Sequence, residues 1–85
     1  MSKLNSEEKI WLNKLQKVLD ECPSERLGFY TIGDNDLSVY DLTKTKEINE
    51  LQHKTNLDYP VCIEEVGAEF NYYLTFPAKV EGMSG

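Results

Sequence analysis

Apolar residues recur with a helical period along residues 6–22. At roughly 100° per residue, Trp11, Leu12, Leu15, Val18, Leu19 and Cys22 fall within an arc of about 120°. Lys9, Asn13, Gln16, Lys17, Asp20 and Glu21 take the other side, and only Ile10 is off the stripe. Asn5 or Ser6 can cap the start. With Asn5 as the cap, Glu8 stands three residues on and closes a capping box. Pro23 pushes residue 22 out of helical geometry and ends the run. The pattern predicts an amphipathic helix with Trp11 as a core anchor.

The pattern then shortens. Leu27–Ile32 and Leu37–Tyr40 are rich in strand-forming residues, and Gly33-Asp34-Asn35-Asp36 between them is turn chemistry. Residues 27–41 therefore read as a hairpin. With a four-residue loop, Ile32 faces Leu37 and Tyr30 faces Val39 on one side; Phe29, Thr31, Ser38 and Tyr40 line the other. Residues 43–54 predict a second helix, capped by Asp41 or Thr43, with a thin stripe of Ile48 and Leu51 and a stop at Asn56. Residues 61–76 read as a second hairpin between Pro60 and Pro77, turning at Gly67-Ala68 in a type II′ turn. That register pairs Ile63 with Tyr72 and Val61 with Leu74. A helix over 61–70 competes, because Val66 and Phe70 are four apart, but Val61, Cys62, Ile63 and Val66 prefer strands.

The expected fold is α+β in the order α-β-β-α-β-β: one antiparallel sheet from two hairpins, with helix 1 packed on one face. Residues 1–78 would form a single compact domain and 79–85 a mobile tail.

Composition bounds what such a domain can do. The chain has 85 residues and 9.8 kDa, of which 40% is hydrophobic. It is too short for two ordinary domains and too apolar to read as disordered. A compact fold of this mass exposes roughly 5,200 Å², burying about 64% of its extended surface. That is one core with a thin margin, and a deep, water-excluding active site is hard to build in it. No run of about 18 apolar residues predicts a membrane helix, and the first eight residues lack the apolar core of a signal peptide. A cytoplasmic protein is the expectation, with Cys22 and Cys62 reduced, buried and inert.

Charge adds the first lead. Nine basic residues stand against fifteen acidic ones, for a net charge of −6. Residues 1–26 are balanced, so the whole excess lies in residues 27–85. This disfavours direct nucleic-acid binding, even through Lys9, Lys14 and Lys17 of helix 1.

Catalytic chemistry finds few candidates. His53 is the sole histidine, and the helical wheel exposes it, unlike a triad histidine held by packing. Two distant cysteines and one histidine do not make a zinc site. Counted from Asp34, the acidic turn lacks the glycine and the twelfth-position acid of a calcium loop. Glu64 and Glu65 would point to opposite faces of a strand. Catalytic, cofactor and metal sites are thus all expected to be absent.

The remaining feature is a surface of acids interleaved with tyrosines. Tyr40, Tyr72, Tyr73, Asp34, Asp36 and Glu64 are the expected partner-binding residues, suited to a basic protein. The alternatives are an acidic nucleic-acid mimic that blocks a DNA-binding host enzyme, and an ordinary solvated surface. An exposed sheet edge also offers a way to pair two copies into a homodimer.

Ser6-Glu7-Glu8-Lys9-Ile10-Trp11-Leu12, the run from Arg26 through Asp34, and the closing Phe76-Pro77-Ala78-Lys79-Val80 carry a resemblance. With them the chain resembles small accessory proteins encoded in the early regions of lambdoid temperate phages and enterobacterial prophages. The resemblance implies a bacterial cytosol, a dispensable gene and a role in modulating host or phage machinery. The partner would then be a host or phage protein, without nucleic acid or membrane. It brings no functional residues with it.

Overall fold

The computed structural model describes residues 2–81. Helix α1 (Ser6–Asp20) is followed by strands β1 (Leu27–Tyr30) and β2 (Asp36–Asp41), a short 3-10 turn (Leu42–Lys44), helices α2 (Thr45–Thr55) and α3 (Tyr59–Glu65), and strand β3 (Glu69–Thr75). The three strands form one antiparallel sheet in the order β1-β2-β3. The α+β class stands, with three strands rather than four.

Helix α1 starts as its sequence requires. The Asn5 side chain accepts from the Glu8 N–H at 2.8 Å, and a Glu8 carboxylate oxygen accepts from the Asn5 N–H at 2.8 Å. This reciprocal pair satisfies two of the free N–H groups at the helix start. Helix α2 ends at Asn56, which adopts left-handed backbone (φ 59°) and donates its N–H to Gln52 O. Its apolar stripe is as thin as the sequence indicates: Ile48 is fully buried and Leu51 half-buried.

The segment expected to open the second hairpin is a helix instead. Tyr59, Cys62, Ile63 and Val66 repeat at three and four residues, and all four face the core. Pro60 lies in the first turn, where its missing N–H costs nothing and its fixed φ suits the helix. Gly67 sits just beyond the C-cap at φ 70°, with Gly67 N–H donating to Glu64 O and Ala68 N–H to Ile63 O. These two bonds make a Schellman motif, so Gly67-Ala68 is a helix stop and not a hairpin turn. The expected pairings Ile63 with Tyr72 and Val61 with Leu74 are therefore not made. β3 pairs with β2, Val39 opposite Tyr72 and Leu37 opposite Leu74.

The first hairpin forms one residue out of the expected register. Phe29 pairs with Val39 and Tyr30 with Ser38. The cause lies in the loop. Thr31 Oγ1 accepts from the Gly33 N–H at 3.1 Å, Gly33 takes φ 90°, and Asp34 Oδ1 accepts from the Asp36 N–H at 2.9 Å. These bonds take Thr31 and Ile32 out of the ladder, and Ile32 is left 72% exposed. Because side chains alternate, the slip reassigns every face. Gly28, Tyr30 and Tyr40 now share the inner face; Leu27, Phe29, Leu37 and Val39 share the outer one.

The core lies between the inner face and helices α2 and α3. Ile48, Cys62, Ile63 and Ala68 are its buried centre, with Tyr30, Tyr40, Leu51, Tyr59 and Val66 packed around them. Helix α1 is not part of it: no α1 residue is buried, and Trp11, the expected anchor, is 52% exposed. The packing of helix 1 across the sheet is thus absent from the isolated chain. Pro23 and the hydrogen-bonded Ser24 turn stiffen the connection that follows it. The radius of gyration is 15.6 Å, against about 12 Å for a compact chain of this length.

At the tail, the Val80 N–H donates to Asp34 O at 2.8 Å. Residues 82–85, the rest of the stretch expected to be mobile, lie outside the described residues.

Candidate interaction surface

The outer face of the sheet is built from alternate residues of three strands. β1 contributes Leu27 and Phe29, and β2 contributes Leu37 and Val39. β3 contributes Tyr72 and Leu74, opposite Val39 and Leu37. An irregularity follows. The ladder passes from Val39–Tyr72 to Tyr40–Glu69, leaving Phe70 and Asn71 as extra residues, with Asn71 at φ 57°. This bulge turns the Phe70 ring toward Leu27, so β3 keeps an apolar residue on the outer face at the end where the ladder breaks.

The result is a shallow groove of about 410 Å³ lined by Leu27, Phe29, Val39, Phe70, Tyr72 and Leu74. Phe29 is 44% exposed and Tyr72 65% exposed. At one end Arg26 lies over the Phe70 ring, 4.8 Å from its centroid, and reaches the Asp41 carboxylate at 3.6 Å. Asp41 is itself buried, and its Oδ1 accepts from the Thr43 hydroxyl (2.6 Å) and N–H (3.0 Å). The Thr43 bonds above all, with the charges of Arg26 and Lys44, hold Asp41 below its ordinary pKa against a smaller opposing effect of burial.

A second uncovered apolar surface lies on α1. Leu4, Trp11 and Leu12 line a depression of about 490 Å³ with Glu7 and Glu8, and Leu19 and Val18 continue the stripe at 48% and 67% exposure. Farther along, Trp11 and Leu15 share a cleft of about 210 Å³ with Leu74, Thr75, Phe76 and Pro77, at the far end of β3. The helix thus lies beside one corner of the sheet and leaves the outer face open.

The six residues expected to form one partner-binding patch do not come together. Tyr72 is on the outer face, whereas Tyr73 pairs with Ser38 on the inner side, 58% exposed. Tyr40 is half-buried against the core, edge-on to Tyr30 and Tyr59 at centroid distances of 5.8 and 6.3 Å. Burial first, then the neighbouring Tyr59 hydroxyl, raises its pKa above 10.0. Asp34 holds the β1–β2 turn, Asp36 accepts from the Thr75 hydroxyl at 2.9 Å, and Glu64 lies on α3 rather than on a strand. Leu27, Phe29, Val39, Phe70 and Leu74 were missed because the one-residue register slip, the bulge and the helical α3 decide which residues meet on this face.

His53 is exposed on α2. Among the described residues, no three His, Cys, Asp or Glu side chains gather as metal ligands would. Cys62 is buried and Cys22 exposed, so the expectation that both are buried fails for Cys22, which lies in the linker after α1; both thiols are free. No helix among the described residues is long and apolar enough to cross a membrane. Comparison with protein-family models, with curated proteins and with solved structures finds no match to this chain.

Proposed function

We propose that the chain is a non-catalytic interaction protein whose working surface is the outer face of the sheet, with the α1 stripe beside it. The observation that carries this is a three-stranded sheet apolar on both sides and covered on one. Scattered exposed apolar residues are ordinary, but six apolar residues converging on one groove, with Phe29, Tyr72 and Leu74 exposed, mark a docking site. Aromatic Phe29, Phe70 and Tyr72 supply large contact area, and the Arg26–Asp41 pair gives a polar rim at one end. The resemblance to phage and prophage accessory proteins belongs to the same proposal, since it implies a role in modulating host or phage machinery in a bacterial cytosol. The mimic reading draws less support, because the open face is apolar rather than lined with acids.

The test is affinity capture from a bacterial lysate containing untagged chain, using tagged wild type and a tagged Phe29→Glu variant. A protein held stoichiometrically by the wild type and lost by the variant supports the proposal. Nothing held by the wild type, or the same protein held equally by a natively folded variant, contradicts it.

A further inference from the structure

We infer that the occupant of the outer face is α1 of a second copy of this chain, exchanged reciprocally in a twofold dimer. The inference rests on the interaction reading above and names its partner. Four observations carry it.

The two uncovered surfaces are complementary in kind. One is a helix with a single apolar stripe, the other an apolar sheet face that α1 of the same chain meets only at the Leu74 corner. A sheet face of this sort is stably covered by an amphipathic helix. They also match in length. Fifteen helical residues span about 22 Å, and the seven residues of β3 span about 23 Å.

The exposed area is what a dimer needs. The chain exposes 7118 Å², about a third more than the roughly 5,200 Å² of a compact chain of this mass. A stable interface takes about 800 Å² from each partner, and the excess is larger than that.

The linker favours exchange over closure. Only Glu21–Arg26 separate α1 from β1, and within them Pro23 is rigid and Ser24 is tied at both sides, accepting from the Cys22 thiol and the Arg26 N–H. A short, stiff connection that keeps a helix at one corner of its own sheet is a setting for swapping between protomers.

Charge permits the pairing. The segment bearing α1 is electrically balanced, whereas residues 27–85 carry the full −6. Docking α1 on the other copy's sheet places a neutral element between two acidic bodies. Direct face-to-face stacking of the sheets would bring those bodies together.

The experiment is light scattering on size-exclusion peaks between about 1 and 100 µM chain, with wild type, Leu12→Lys on the helix, Tyr72→Glu on the sheet, and an equimolar mixture of the two variants. The expected result is twice the 9.8 kDa chain mass for wild type, the single mass for each variant alone, and the double mass again for the mixture. Recovery occurs because exchange pairs the altered helix with the altered sheet and leaves one unaltered pair. Circular dichroism of each variant confirms that the fold persists. A wild type of single mass throughout overturns the dimer. A wild-type dimer that survives both substitutions, or whose variants fail to recover on mixing, overturns the exchange. A single-mass wild type that still captures a different protein through Phe29 would refute this inference and leave the interaction reading standing; no capture of any protein would end both.

Discussion

The ring of Tyr40 occupies the space that a side chain on Gly28 would need. The two residues are paired across β1 and β2, and a Cβ on Gly28 would lie 2.6 Å from Tyr40 Cε1 and 2.8 Å from Leu42 Cδ2. Tyr40 cannot easily give way, since its ring is wedged between Tyr30 and Tyr59. Gly28→Ala is therefore expected to cost about 1–3 kcal/mol, as overpacking does. A urea titration checks it: a midpoint equal to that of wild type would show that the ring has room to move.

The small core makes its centre costly to hollow. Ile63 is fully buried and Val18 is 67% exposed. Ile63→Ala is expected to lose about 2–5 kcal/mol, much of the stability that a domain of this size has. Val18→Ala should leave the fold intact. Thermal denaturation followed by circular dichroism, at a concentration where the chain has its single mass, distinguishes the two, and similar losses would mean that α1 is packed into the same core.

Gly67 holds the stop of α3 with left-handed backbone at φ 70°. A Cβ there meets nothing within 4 Å, so only backbone strain opposes it. Gly67→Ala should cost about 1 kcal/mol, readable as a lowered midpoint in urea without loss of the fold. An unchanged or raised midpoint would contradict this account of the turn.

Stability should fall at both ends of the pH range. Asp41 is held below its ordinary 3.8, chiefly by Thr43. The unfolded chain therefore takes up this proton first, and the contribution present above pH 3.8 is lost as pH falls through the folded pKa. Tyr40 is raised above 10.0, chiefly by burial. Its contribution is full below pH 10.0 and is lost as pH rises through the folded pKa, because the unfolded chain releases the proton more readily. Asp41→Asn should flatten the acid limb and Tyr40→Phe the alkaline one. Urea midpoints across pH show whether each limb responds to its own variant.

Much of the helical structure was legible in the sequence. The Asn5–Glu8 box, the Asn56 stop and the stripe of Ile48 and Leu51 are local signals, read out by groups three or four residues apart. The α3 helix was legible too, in Pro60 at its start and Gly67 at its end, but the strand-preferring run Val61–Ile63 outweighed them. Propensity lost there to burial, since the period of Tyr59, Cys62, Ile63 and Val66 fits the inner face. The site was less legible. Which residues share its face depends on a register set by Thr31 and Asp34 side-chain bonds and on a bulge at Phe70 and Asn71. Neither leaves a pattern in hydrophobicity. The packing of Trp11 could not be read at all, because an amphipathic stripe shows that a helix needs a partner without saying whose surface provides it.

Tyr72 and Tyr73 are neighbours in sequence on opposite faces of β3, and only Tyr72 belongs to the apolar groove. Tyr72→Ala is expected to weaken association by tenfold or more, about 1.4 kcal/mol, while Tyr73→Ala changes it little. Sedimentation equilibrium of both variants measures the difference, and equal effects would remove the outer face from the account.

The most direct measurement uses Trp11, the sole tryptophan of the chain. It is 52% exposed when the chain stands alone and sealed when α1 lies on another copy's sheet. Its emission and acrylamide quenching should therefore depend on protein concentration. Blue-shifted, protected fluorescence is expected at high concentration, turning solvent-like on dilution. Emission that is the same at every concentration, whether exposed or buried, would contradict it.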